Sequence, residues 1–414
     1  MKRLKFLLVL VSLLLVCVIL AGCGTSAQAA DLMEGITARQ VASVDTKAYS
    51  TDVTDFCVRL FKANEKDGEN TLISPLSVLC ALSMTANGAK GQTLSQMESV
   101  LGLNTEELNN FVYSYTKSLP KSEDYKLSIA NSIWFTDSER FAVNRDFLTL
   151  NADYYGADIY KAPFDKSTRD DINNWVCKKT DNMIKEVLDE VPRDAIMYLV
   201  NALAFEAEWE ECYEEHQVRE GTFTNREGNK QKCEFMYSSE SAYLEDDNAT
   251  GFIKCYKDDE YAFVALKPDE NVDVSEYVKT LSGEKLQKLI SNKQYGNVKS
   301  AIPKFETEYS TDMAMVLSEM GMSDAFSVDK ADFTGLGTSS EDNIFISRVL
   351  HKTYISVAEK GTRAGAATVV ETKCGSSAVT ETKKIYLDRP FVYMIIDCKN
   401  NIPFFIGTMN DIEK

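Results

Sequence analysis

Near the C-terminus, an apolar strand pattern ending in Ser356-Val357-Ala358 runs into a segment of unusual composition, Glu359 to Thr380. It reads Glu-Lys-Gly-Thr-Arg-Ala-Gly-Ala-Ala-Thr-Val-Val-Glu-Thr-Lys-Cys-Gly-Ser-Ser-Ala-Val-Thr. Composition alone makes it a low-complexity loop, but a period of two reveals an order. Thr362, Ala364, Ala366, Thr368, Val370 and Thr372 share one face and carry no charge. Arg363, Gly365, Ala367, Val369, Glu371 and Lys373 share the other, with every charge between Thr362 and Lys373. That is the alternation of a strand with one buried and one wet face, built from small side chains that form strands weakly. A segment able to be either an exposed loop or a sheet strand is a switch. A flexible linker explains the small residues and leaves the sorting of charge unexplained.

At the other end, Lys2, Arg3 and Lys5 precede an apolar run from Phe6 to Ala21 broken only by Ser12. This is a secretory signal, short for a membrane span, which needs about 20 residues. The run closes in Leu20-Ala21-Gly22-Cys23, similar to a bacterial lipoprotein cleavage box, with removal of residues 1–22 and lipidation of Cys23. An uncleaved anchor with an incidental cysteine is the competing reading. Either way the body lies on the extracellular side of the membrane. Residues 23–50 are small, polar and weakly patterned and read as a flexible tether. From Thr51 helical and strand patterns alternate with no linker that would split them, so residues 51–414 read as one large domain.

The patterns predict a helix over Asn70 to Met97, opened by Ser74-Pro75, and another over Asp170 to Leu188. Ile196 to Ala204, Tyr261 to Leu266, Phe391 to Ile396 and Phe404 to Gly407 read as buried strands. Helices and apolar strands in no βαβ order predict an α+β fold. The excess of 63 Asp+Glu over 45 Lys+Arg repels phosphate backbones, so no nucleic acid is expected as partner. The chain has no GxSxG, HExxH, P-loop or GxGxxG motif, which argues against an enzyme. The two histidines, His216 and His351, and ten cysteines without a CxxC predict no metal site and no cofactor. His351, in Val349-Leu-His-Lys-Thr-Tyr-Ile, reads as a core histidine held by hydrogen bonds. The thiols are expected mostly free, Cys80 as a buried small hydrophobe and Cys374 exposed.

Over essentially the whole body, the sequence closely resembles the serpin family. The resemblance rests on Asn70-Thr-Leu-Ile-Ser-Pro-Leu-Ser-Val-Leu, Ala86-Asn-Gly-Ala-Lys-Gly-Gln-Thr, Ala130-Asn-Ser-Ile-Trp-Phe and Ile172-Asn-Asn-Trp-Val. It extends to Leu199-Val-Asn-Ala-Leu-Ala-Phe, Ile302-Pro-Lys-Phe, the Glu359 segment, Asp388-Arg-Pro-Phe and Phe404-Phe-Ile-Gly. Asn182 and Asn410-Asp411 depart from the family, which usually has glycine and Asn-Pro at those places. The resemblance implies three β-sheets with surrounding helices and an exposed reactive-centre loop. It also implies a protease inhibitor that traps an acyl-enzyme in a covalent 1:1 complex, as a monomer, by inserting the cut loop into the central sheet. The alternative is a non-inhibitory binding or chaperone protein of the same fold. Such members usually carry bulky, charged or proline residues facing inward in the hinge, and none appears here.

By the same resemblance the hinge comprises Glu359, Gly361, Thr362, Ala364, Gly365, Ala366, Ala367 and Thr368. Ser74, Ser77, Asn201 and His351 form a shutter cluster under the sheet, and Trp209 with a Lys304–Glu359 ion pair guards the breach where insertion begins. Family register counted from Glu359 puts the reactive bond at Gly375–Ser376. Counting back from Pro390 favours Val379–Thr380, and Cys374 is a further alternative. Small side chains in this window suit the shallow pocket of an elastase-like serine protease, with a subtilisin-like target second. Lipid on Cys23 would supply the membrane contact.

Overall fold

The computed structural model describes residues 29–120, 122, 124–137, 141–192, 195–340, 343–362 and 382–413. The described residues form helices and three sheets of seven, nine and two strands, an α+β fold. The central sheet is built from β1 (Ala30–Asp31), β2 (Tyr125–Thr136), β3 (Asp158–Ala162), β4 (Met197–Glu208), β5 (Phe305–Asp312), β6 (Arg348–Ala358) and β7 (Gly361–Thr362). Their spatial order is β1-β3-β2-β4-β7-β6-β5.

The nine-stranded sheet holds Tyr261–Pro268 and Phe391–Asp397 side by side, and residues 261–266 and 391–397 are all buried. Strands covered on both faces read as continuous apolar runs rather than alternations, which is why they were legible in the sequence. Between the two large sheets lies the helix α1 (Pro75–Ala86), which is buried over its whole length. Its polar Ser83 and Thr85 hydroxyls return their hydrogen bonds to the carbonyls of Leu79 and Ala81 four residues back.

Two expected helices are shorter than the pattern predicts. Asn70 to Met97 divides into a strand, Thr71–Ile73, then α1, then α2 (Gly91–Leu101). Pro75 has no N–H and starts α1 at its first turn. Gly88 ends the segment, where a Cβ would lie 2.5 Å from that of Leu336. Asp170 to Leu188 is helical only within α3 (Lys166–Lys179). Beyond it, Thr180 Oγ1 donates to Val176 O at 2.8 Å and accepts from Ile184 N at 3.1 Å, while Asp181 and Asn182 take positive φ. Asn182, at φ 63°, occupies the left-handed region that glycine would otherwise fill. Ile184 and Leu188 still pack inward, so their apolar spacing was real while the helix was not.

The expected tether also departs from its reading, because from Ala29 onward it is docked on the body. Ala30 and Asp31 pair with Lys161 and Tyr160, and Leu32 N donates to Ile159 O at 2.9 Å. The Arg39 backbone N–H and guanidinium both donate to the buried Asp153 carboxylate. Val44 N donates to Ser114 Oγ. Weak internal patterning is what a strap shows when the body supplies its partners.

Candidate functional site

Strands β4 and β6 are parallel neighbours over half their length only. Direct pairing runs from Arg348↔Tyr198 to Lys352↔Ala202. At the other end β7 lies between them, antiparallel to both: Thr362 pairs with Ala207 and Val357, Gly361 with Glu208 and Ala358. The sheet is thus closed at one end and wedged open by two hinge residues at the other. Gly361 is required there, since a Cβ would fall 1.9 Å from Ala207 O. Thr362 is buried, and its hydroxyl hydrogen-bonds the Tyr256 hydroxyl beneath the sheet.

The turn joining β6 to β7 is gripped carbonyl by carbonyl. Trp209 Nε1 donates to Ala358 O, Tyr213 N to Glu359 O and Trp209 N to Lys360 O, each at 2.9 Å. Trp209 is fully buried and stacks on Tyr256 with centroids 4.4 Å apart. Lys304 Nζ lies 2.8 Å from Glu359 Oε1 and 2.8 Å from Glu234 Oε2, so the expected pair is a three-membered cluster. Hydrogen bonds to Glu234 and Glu359 raise the Lys304 pKa. Partial burial pushes the Glu359 carboxyl up, but the Lys304 ammonium and a backbone hydrogen bond outweigh it and leave the value below the ordinary carboxylate range.

Farther down, Ser74, Ser77, Asn201 and His351 come together across the junction of β4 and β6. His351 Nε2 accepts from the Ser74 backbone N–H at 3.1 Å, which places the ring proton on Nδ1 for donation to Asn201 Oδ1 at 2.9 Å. Asn201 Nδ2 donates to Ser77 Oγ and to Asn131 Oδ1. Ser74 therefore contributes its backbone, and its buried hydroxyl has no partner among the described residues. Burial pushes the His351 pKa down to about 3. The cluster is one row of the sheet, Thr311–His351–Asn201–Asn131, spanning β5, β6, β4 and β2. Asn131 joins the cluster although the family resemblance assigns it no role. Its signal is a lone amide in an apolar strand run.

Ala364, Gly365, Ala366, Ala367, Thr368, Cys374, Gly375, Ser376, Val379, Thr380 and Cys23 lie outside the described residues. Seven described cysteines, Cys57, Cys80, Cys177, Cys212, Cys233, Cys255 and Cys398, are free, and burial pushes the Cys80 thiol up to about 12. His216 is exposed beside Glu214. Among the described residues no helix is long and apolar enough to cross a membrane.

A sequence model of the family described as Serpin (serine protease inhibitor) matches residues 51–412. Human Serpin B8 is 31% identical over 367 residues, which cover 85% of this chain and 96% of that protein. Among solved structures, a thermophilic serpin, tengpin, in its native state superposes with a TM-score of 0.89 at 49% identity, covering 93% of this chain and all of that one. The same protein in its latent state gives 0.79 at 48% identity, covering 90% of this chain and all of that one.

Proposed function

Since the chain belongs to the serpin family, whose members are in general protease inhibitors, we propose that it is a suicide-substrate inhibitor of extracellular serine proteases, elastase-like in pocket preference. The observation that carries the reading is the half-open seam between β4 and β6, entered by Gly361 and Thr362 in antiparallel register. Each residue further along the loop would move one residue back along both strands. On that register residue 364 meets Phe205 and Ile355, residue 368 meets Asn201 and His351, and residue 372 meets Met197. The loop face that continues from buried Thr362 is the uncharged one, so insertion would bury no charge. The inserted strand would end at the edge of β4 about three residues before Gly375–Ser376, which favours the hinge count for the reactive bond over Val379–Thr380 or Cys374.

In this mechanism the protease nucleophile attacks the Gly375 carbonyl, expels the Ser376 amine and forms an acyl-enzyme. The freed loop then adds backbone ladder bonds on both sides. At about 3.3 Å per residue it carries the bound protease tens of ångströms before water deacylates it. The lipid proposed at Cys23, with residues 24–28 before the docked strap, would hold the inhibitor at the membrane surface.

Incubation with pancreatic or neutrophil elastase is expected to give an SDS-stable complex and release a fragment beginning at Ser376. A fragment beginning at Thr380 moves the bond, cleavage without a complex rejects elastase as target, and subtilisin tests the second choice. Nicking the loop with a non-target protease should raise the melting temperature substantially; no rise defeats the inhibitory reading. Radiolabelled lipid should enter the wild type and not Cys23→Ala, and equal labelling of both rules out the anchor.

A further inference from the structure

Lys254 lies near the end of the strand Ala249–Cys255, in the run Gly-Phe-Ile-Lys-Cys-Tyr, and is 3% exposed. A lysine is rarely buried unless paired, and this one has four partners. Its Nζ is 3.4 Å from Glu240 Oε1 and 3.3 Å from Glu211 O, and it sits over two rings, Tyr213 at 4.6 Å and Trp209 at 5.5 Å from their centroids. Those two aromatics supply all three N–H groups that hold the carbonyls of Ala358, Glu359 and Lys360. The ammonium therefore pins the residues that pin the hinge.

The Glu240 side continues the connection. Its carboxylate accepts from Ser238 and from Ser300, and Ser238 Oγ also lies 3.2 Å from the Tyr213 hydroxyl. Buried Ser300 is on the strand Gln294–Pro303, in register with Ile385 of the four-residue edge strand Lys383–Tyr386. That edge strand holds the far end of the loop. The network thus reaches from the hinge on one side of the loop to its anchor on the other. Insertion of an uncut loop would require both to give way, with the hinge opening and Lys383–Tyr386 peeling from its neighbour.

We propose that Lys254 is a positioning residue: paired with Glu240, it holds Trp209 and Tyr213 against the hinge and keeps the uncut loop out of the central sheet. The proposal rests on the loop-insertion mechanism above and adds to it the group that delays insertion until cleavage. Removing the ammonium frees two aromatics that three hinge bonds depend on. The effect expected is the loss of a desolvated cation–π contact, roughly tenfold or more in rate.

The test is conversion of the intact protein, at elevated temperature, to a urea-resistant form of unchanged mass. It compares wild type, Lys254→Met, Lys254→Met/Glu240→Gln and Lys254→Arg. The double variant leaves no unpaired buried carboxylate, so it decides the matter if the single one fails to fold. Both Met variants should convert roughly tenfold or more faster than wild type. Arg, which keeps the charge and the ring contacts, should restore most of the delay. The nicked forms of all four should melt together, which a general loss of stability would not give. Wild-type conversion rates in the double variant, or an Arg variant as fast as Met, overturn the proposal. Should nicking fail to raise the wild-type melting temperature, the insertion mechanism falls separately. Hydrogen exchange of peptides containing Trp209 and Tyr213 then still decides the clamp: roughly tenfold faster exchange in the double variant supports it, and unchanged exchange refutes it.

Discussion

Between pH 7.5 and 5, His351 should become the weak point of the central sheet. Its Nε2 accepts from Ser74 N–H and its Nδ1–H is given to Asn201, so a second proton on Nε2 would face a donor in a dry site. Burial holds the pKa near 3 where water would give about 6.5. The folded state therefore resists protonation while any opened state accepts it. The stabilisation is complete above pH 6.5 and is lost progressively as pH falls toward 3. At pH 5, one and a half units below the open-state value, the loss is about 2 kcal/mol.

A native state that inserts its loop does not return, so the measurement is a rate, the first-order loss of native fluorescence at fixed urea. His351→Gln is the control, since its amide can both accept from Ser74 and donate to Asn201 and does not titrate. Wild type should accelerate between pH 7.5 and 5 by up to roughly 30-fold more than the variant. Surface carboxylates titrate in both proteins and cancel. Equal acceleration of the two would show that the proton does not act at His351.

Ala366→Arg should block insertion, because on the register of β7 this position would follow buried Thr362 onto the inward face between β4 and β6, where an unpaired charge costs several kcal/mol; the nicked variant should then melt no higher than the uncut protein, and elastase should cut it without forming a complex. Asp153→Ala should release the N-terminal strap at a cost of about 1–2 kcal/mol, kept small because Arg39 is largely exposed, and limited proteolysis should then cut within residues 33–44. Lys304→Ala removes a half-exposed pair and should lower the melting temperature by the equivalent of under about 1 kcal/mol, yet shorten the lifetime of the native form measurably because it acts at the entrance to the seam.

The parts of this molecule that were legible in its sequence are those whose partners announce themselves locally. Tyr261–Leu266 and Phe391–Ile396 declare their double burial by being apolar throughout, and Ser74-Pro75 marks a helix start by its own chemistry. The hinge is legible because a strand's two faces are written in alternate letters. What escaped was satisfied from far away. The segment 29–44 has no pattern of its own because Asp153, Ser114 and the edge of β3 supply its bonds. Helix length beyond Lys179 was overestimated because Thr180 ends the helix with a side-chain hydroxyl while Ile184 and Leu188 keep the apolar spacing. Glu234, Lys254 and the loop residue Tyr213 were missed for the same reason: an isolated charge or phenol reveals nothing until the neighbours that the fold brings to it are known.

In the proposed mechanism, the row containing His351 also explains how a polar lock can sit in the middle of a sheet that would open. Asn201 uses both amide protons and its carbonyl within that row and toward Ser77, so the closed junction leaves no amide group of Asn201 unmet. Such a network is stable only when complete. An entering strand separates Asn201 from His351 and breaks it at one step. On the register of β7, that step comes when residue 368 arrives, six residues beyond Thr362. Up to residue 366 the loop would zip into a seam where β4 and β6 are already apart; from residue 367, which meets Ala202 and Lys352, each residue must also undo a β4–β6 pair. The lock therefore stands at the second paired row, just inside the point where insertion changes from filling a gap to splitting a sheet. A hydroxyl side chain, which Thr368 would bring there, is among the few that can rejoin a broken amide–imidazole pair rather than strand it. Replacement of Thr368 by Val, similar in shape but unable to donate, should leave residues 362–367 able to enter and slow completion past the lock. The sign of failure is a nicked Thr368→Val protein that reaches full heat resistance as fast as wild type.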